Sequence, residues 1–303
     1  MSKHGQTFMR AVLRFAFVGL LAAAHAAAAQ EVLTGEWKAS VEQQKPDKIY
    51  LSFERRTEKG GRHQHGSDYD FAELQGLSRE QAAGGGPVAF SLVREAGRID
   101  CEGSFQGGKG AGTFRFTGNQ GFVAAMKSRG FDFEDSAATR EGRGGDDRLF
   151  SATTINVTTA LADDLLAGGF GKLGVDDLFK AAIFKIDSRF MREMKASGFP
   201  DIGMEELVKA RIFKIDAAFV SQATQLGFDK EPFESLVKMR IFKVTPEFVA
   251  EVRGEGLTNL SVEDLVKMRI FKIDGGFIRR AKAEGVPLEV ERLVQKKIGV
   301  RSR

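Results

Sequence analysis

From residue 31 to about residue 118 apolar and polar residues alternate in short runs, the period of a half-buried strand. Residues 37–41 and 49–53 form two such runs around a turn-like connection, 43–48, that contains Pro46. Residues 88–93 and 98–101 form a second pair about Glu95, Ala96 and Gly97. A third pair, 104–105 and 113–116, flanks a glycine-rich turn. Strands joined by hairpins predict an antiparallel meander with one buried and one wet face. Past residue 118 the period lengthens to that of a helix. Residues 122–131 match residues 190–199 closely, and a polar, glycine-rich stretch, 132–147, reads as a loop before a regular pattern begins.

That pattern is a repeat. The pentapeptide Ile183-Phe184-Lys185-Ile186-Asp187 recurs from Ile212, as Ile-Phe-Lys-Val-Thr from Ile241, and again from Ile270, at an interval of 29 residues each time. Stepping back by the same interval reaches a decayed copy, Thr154-Ile155-Asn156-Val157-Thr158, and residues 293–300 are a shortened last copy. In the copy beginning at Ser261, Ser261 and Asp264 have the form of a capping box. Leu265, Val266, Met268 and Ile270 supply an apolar face, and Asp274 is placed to cap a second helix that Gly285 stops. Thr158, Asp187, Asp216 and Thr245 hold the same cap position, and Gly169, Gly198, Gly227 and Gly256 the same stop. Each repeat is therefore expected to be a helix–turn–helix pair too short to persist alone.

The fold expected is α+β, an N-terminal antiparallel β-meander domain followed by an α-helical (helix–turn–helix) repeat array. The boundaries are 1–29 for a signal peptide, 30–118 for the β domain, 119–147 for a helix and polar loop, and 148–303 for the tandem repeats. The signal reading rests on a basic start (Lys3, His4, Arg10, Arg14), the apolar run 15–24, and Ala27-Ala28-Ala29 before Gln30. It implies a periplasmic or secreted protein, and no later segment is apolar enough to span a membrane. The composition, 42% hydrophobic and 28% charged, is that of a globular chain. A formal net charge of +4 gives no strong field towards nucleic acid, so no nucleic-acid partner is expected. The 26 Phe against 2 Tyr and 1 Trp reflect one aromatic position copied many times. Cys101, the single cysteine, allows no internal disulfide and is expected to be a core residue.

Several motifs resemble catalytic ones, and most dissolve in context. Gly103, Gly108 and Lys109 have the spacing of a phosphate-binding loop, but Gly110 stands where the magnesium-binding hydroxyl belongs. A strand follows there instead of a helix, so a hairpin turn is expected. Ser235 and Lys238 match Ser-x-x-Lys, yet Glu206 and Asp264 hold the Ser235 position in other repeats. No cofactor motif is present. His63 and His65, with Asp68 nearby, form the candidate metal site: two histidines at alternate positions of a strand face the same side. The bland expectation for them is an exposed loop. The repeats carry basic columns. Lys180, Lys209, Lys238 and Lys267 each follow an acidic residue four positions earlier, which predicts ion pairs within each helix. Arg211, Arg240 and Arg269 fall where cations complement a helix C-terminus. Lys185, Lys214, Lys243 and Lys272 have no such local role and are the candidate anion or partner surface.

The repeat running from Leu236 to Val249 and ending at Gly256-Leu257 resembles tandem repeats of uncharacterised exported bacterial proteins. It is also similar to the C-terminal tail of some membrane metallopeptidases of the penicillin-sensor, antirepressor type. The run from Phe90 through Gly97 to Gly110-Ala111-Gly112-Thr113-Phe114 resembles the small β domain that accompanies these repeats. The peptidase's zinc motif and membrane helices are absent, so the resemblance implies envelope sensing or interaction, not proteolysis. The leading expectation is a non-catalytic exported module that binds a protein partner in the cell envelope through the repeats. Its rivals are a metal-dependent hydrolase or small-ligand binder using the β domain, and a binder of anionic envelope polymer or membrane surface using the Lys185-type column.

Overall fold

The structure is a computed structural model that describes residues 33–56, 62–134 and 145–299. The expected signal segment, 1–29, lies outside the described residues, as does the middle of the polar stretch, 135–144. Strands β1 (Leu33–Val41), β2 (Lys48–Arg56), β3 (Arg62–Asp70), β4 (Leu74–Gln75), β5 (Gly86–Arg94), β6 (Gly97–Gln106) and β7 (Lys109–Gly118) form one antiparallel sheet. Their order is β3-β2-β1-β7-β6-β5-β4. Every strand lies beside its sequence neighbour except at the break between β3 and β4, and the β1–β7 pairing joins the two halves of the meander. Following the antiparallel pairings round the sheet, β3 and β4 run in the same sense, separated by a single 3-10 turn, Phe71–Glu73. One passage of chain therefore pairs with β2 first and with β5 afterwards, and the sheet curls towards it from both sides.

Alternation fills the inside of the curl. Trp37, Leu51, Phe53, Leu92, Ile99, Cys101, Phe114 and Phe116 are all buried. Trp37 is the centre of this packing, edge-on to Phe90 at 5.1 Å and donating its indole N–H to the Glu102 carbonyl at 3.1 Å. The Gly103–Gly112 pair opposite makes the room, because a Cβ on Gly103 would stand 2.7 Å from the indole ring. The β6–β7 turn is Gly107-Gly108, both with positive φ (57° and 76°), as a two-residue primed turn requires. The phosphate-loop resemblance is thus a hairpin. Helix α1 (Arg79–Gly84), opened by a Ser78–Gln81 capping box, adds Ala82 to the core.

Helix α2 (Gln120–Lys127) leads from the sheet to the array. The array is α3 (Gly145–Ile155), α4 (Thr159–Ala167), α5 (Val175–Phe184), α6 (Ser188–Ala196), α7 (Met204–Phe213), α8 (Ala217–Gln225), α9 (Phe233–Ile241), α10 (Pro246–Gly254), α11 (Val262–Ile270), α12 (Gly275–Ala283) and α13 (Val290–Ile298). The odd-numbered helices are the first helices of their repeats and stack in sequence from α3 to α13. The even-numbered second helices form a looser row, in which α2 packs on α4 as a repeat's second helix would. Gly130, Gly169, Gly198, Gly227, Gly256 and Gly285 all have positive φ, the left-handed stops that the sequence predicts for second helices.

Sheet and array share α3. Its Phe150 stacks on Phe114 at 5.3 Å with the rings 12° apart, and meets Phe53 and Phe116 edge-on. At the C-terminal end of α3 the Arg94 guanidinium donates to the Thr153 and Thr154 carbonyls, each at 2.8 Å, and the Tyr69 hydroxyl donates to Thr154 at 3.1 Å. These are the last-turn carbonyls that a helix leaves unpaired. Replacing Phe150 with Ala is expected to destabilise the protein by about 3 kcal/mol. Thermal unfolding read by Trp37 fluorescence and by helical circular dichroism should then move to lower temperature together. A shift in only one signal would show that the helix serves only one of the two parts.

Candidate interaction surface

Each position of the pentapeptide now has an assignable role. Take Ile212-Phe213-Lys214-Ile215-Asp216. Lys214 ends α7 in the left-handed conformation (φ 55°), as do Lys185 (φ 56°), Lys243 (φ 53°) and Lys272 (φ 53°) after their own helices, with Asn156 (φ 62°) in the decayed copy. The next residue is buried and its N–H returns to the carbonyl five positions back: Ile215 to Ala210 at 2.8 Å, and Ile186, Val244, Ile273 and Val157 alike at 2.9 Å. This is the Schellman closure. Asp216 then caps the second helix, accepting the Phe219 N–H at 2.8 Å, and Asp187, Thr245, Asp274 and Thr158 do the same for theirs. Phe213 packs half-buried against the core. Two parts of the motif are left over: the side chain of the first Ile and that of the Lys.

The charged columns are joints between repeats. Lys180 pairs with Glu205, Lys209 with Glu234, Lys238 with Glu263 and Lys267 with Glu291, each one repeat further on. This corrects the within-helix pairing that the four-residue spacing predicts. Stacking brings the next repeat's carboxylate to the ammonium, and those carboxylates raise the pKa of Lys180, Lys209 and Lys267. Arg211 lies 3.7 Å over the Phe190 ring of the preceding repeat and donates to the Lys185 carbonyl at 2.7 Å. Arg240 repeats this on Phe219 and Lys214, and Arg269 lies over Phe248 and donates to the Phe242 carbonyl. The Arg column therefore serves the previous repeat's turn, with a cation–π contact added. Ser235 is buried within α9 and Lys238 is engaged by Glu263, so Ser-x-x-Lys is a packing coincidence.

What remains exposed is regular. Ile183, Ile212, Ile241 and Ile270 are 55%, 52%, 49% and 52% exposed, and Ile298 of the last copy 55%. Ile270 was expected on the buried face. On a helix it lies about 140° from the Leu265 direction (five steps of 100°), off the stripe that Leu265 and Met268 bury. Lys209 and Ile212 are three apart and share one face of α7, so the ladder of isoleucines lies beside the neutralised Lys–Glu column. On its other side stand Lys185, Lys214, Lys243 and Lys272, exposed, with no carboxylate within ion-pair reach among the described residues. The four lysines are thus exposed at one motif position, and the isoleucines beside them, placed on the buried face from the sequence, are exposed as well.

The candidate metal residues lie on an edge strand, β3, not in a loop. Asp68 accepts from Lys45 at 2.8 Å on the outer face, whereas His65 points to the inner face with Tyr69. The side chain of His63 is outside what the structure describes. Among the described residues no three His, Cys, Asp or Glu side chains are grouped as a metal would require. His65 lines a cavity of about 190 Å³ with Phe53, Arg55, Gln64, Asp147 and Phe150. Arg55 and Asp147 form an ion pair across it, from β2 to α3. The Nε2 of His65 is buried without a hydrogen-bond partner, and burial, reinforced by the charge of Arg94, lowers its pKa. Cys101 is buried, which pushes its thiol well above the usual range and disfavours a nucleophilic thiolate.

Comparison of the chain with protein-family models, with curated proteins and with solved structures finds no match. Two outcomes follow from the geometry. Lys214→Gly should leave stability unchanged or raise it by up to about 1 kcal/mol, since glycine relieves the left-handed strain at some cost in chain entropy. Lys214→Val should lower it by about 1–2 kcal/mol, because a β-branched residue fits that conformation worst; denaturant melts compare the two. The second concerns acid. His65 binds its proton less readily in the folded chain than in the unfolded one, so its contribution is complete above the ordinary value of 6.5. It is lost as the pH falls below 6.5 towards the lowered folded value. In urea melts across that range, His65→Gln should be less sensitive to pH than the parent.

Proposed function

We propose that this chain is an exported, non-catalytic interaction module that binds a polypeptide partner of the cell envelope along the first-helix face of its repeat array. The observation that carries the reading is the row of half-exposed isoleucines beside left-handed lysines, repeated in four consecutive copies with side chains that the fold does not use. Isolated exposed apolar residues are ordinary, but an unbroken file of them on stacked repeats builds an extended apolar line of the kind that binding surfaces use. The lysines add to it. A side chain held in the left-handed region costs backbone energy that glycine or asparagine would avoid, and strain of this kind gathers at functional positions. Export rests on the N-terminal signal pattern, and the resemblance to repeats of exported envelope proteins agrees with it.

Photo-crosslinking in the envelope fraction tests the reading. A crosslinking residue placed at Ile212 or Ile241 should give a discrete adduct that the same residue at Gln222, on the second-helix row, does not give. Ile212→Ser combined with Ile241→Ser should abolish an adduct formed from a neighbouring ladder position while leaving the circular dichroism spectrum unchanged. Equal yields from the two rows, or none from either, would remove the proposal.

A further inference from the structure

We infer that the partner segment lying on this face is an acidic amphipathic helix running along the ladder, advancing one heptad for each repeat. The inference rests on the interaction-module reading and adds the chemistry of what is bound. Stacked helices lie about 8–10 Å apart, so Ile212, Ile241 and Ile270 recur at roughly that interval. A helix that places an apolar residue at every seventh position advances about 10.5 Å between them and keeps them on one face. An extended strand cannot do this. At about 3.3 Å per residue it needs three residues per rung, and side chains three apart on a strand point to opposite faces. A polyproline helix has a suitable rise, but its docking grooves are lined by aromatic rings, whereas this ladder is aliphatic.

Charge fixes the second half of the motif. On one side of the isoleucines the lysines are already neutralised by glutamates of the next repeat. On the other, Lys185, Lys214, Lys243 and Lys272 are exposed, and among the described residues no carboxylate pairs with them. The bound helix therefore needs one Asp or Glu per heptad on the Lys214 side of its apolar residue, and gains nothing from acid on the opposite side. A lipid surface fits this edge less well. The exposed isoleucines form a single file, one per repeat, rather than a face broad enough to insert among lipid tails.

Synthetic helical peptides of four heptads provide the probe, with leucine at every seventh position and glutamate flanking it on one side. Fluorescence anisotropy with the purified protein should show saturable binding that weakens as salt is raised. Ile212→Ser with Ile241→Ser should weaken it at least tenfold, and Lys214→Gln with Lys243→Gln several-fold with a shallower salt dependence. A peptide of the same composition with leucines at irregular spacing, and one with lysine in place of glutamate, should bind at least tenfold more weakly than the parent. Equal binding of either control, or capture of the protein by phosphatidylglycerol vesicles in place of the peptide, would overturn the inference. A ladder-specific crosslink in the envelope fraction combined with failure of the heptad peptide removes this partner chemistry and leaves the module reading standing; loss of both removes both.

Discussion

A helix of nine to eleven residues gains too little from its own hydrogen bonds to persist in water, so every helix in this array depends on a neighbour. The first one has no repeat before it, and the curled sheet takes that place. Phe150 of α3 enters the sheet between Phe114, Phe53 and Phe116, while Arg94 and Tyr69 hold the carbonyls at the other end of the helix. The face of α3 that would otherwise be bare is thereby buried, and α5 stacks on what remains. The decayed sequence of this copy follows from its double duty. Thr154 stands where later repeats carry the exposed isoleucine, and it is 3% exposed because the sheet covers it. The ladder begins only where the array leaves the sheet.

From α5 onward the joints are nearly copies of one another. A left-handed lysine closes the first helix, an arginine from the next repeat binds the turn's carbonyl and covers a phenylalanine, and a glutamate from the next repeat reaches back to a lysine. Each contact crosses one repeat boundary only, which is the condition for a quasi-one-dimensional stack. Uniform joints give uniform rotation between repeats, and so any exposed side chain at a fixed motif position becomes a straight or evenly curved file. The regularity that stabilises the array thus also sets the spacing of its surface.

The repeat architecture was legible because its signals are local. The N-cap Asp or Thr, the glycine stops and the buried Ile or Val after each corner are all readable within a dozen residues, and the hairpins about Gly97 and Gly107 likewise. Strand β3 was not legible. Only Tyr69 along it is a buried apolar residue, since the inner face of this edge meets the Arg55–Asp147 pair and the end of α3 rather than a greasy interior, and no alternation of hydrophobicity is written there. The charge columns failed for the opposite reason. The carboxylate four residues before each lysine is an obvious partner in sequence, but stacking places the next repeat's carboxylate at the ammonium, and a contact 25 residues away leaves no local trace. Of the candidate surface, the lysines were found because they lacked a partner, whereas the isoleucines were absorbed into an apolar face whose angular width was drawn too generously.

That last distinction separates what the motif does for the fold from what it offers beyond it. Where the fold uses a position, the repeats tolerate exchange between residues of equal physical effect: Asp or Thr as the cap, Ile or Val after the corner. Where the fold makes no use of a side chain, the chain nevertheless holds isoleucine in half-exposed form and lysine in a backbone region that disfavours it, in four successive copies. Both features oppose stability or solubility, one by leaving apolar surface in water and the other by straining φ, and both fall on the same edge. Packing alone would relax them, with a polar residue for the first and glycine or asparagine for the second, as Asn156 does where the sheet has already covered the neighbouring position. Stability is therefore held below what the fold allows along one edge of the array, the edge of the first helices' C-terminal turns.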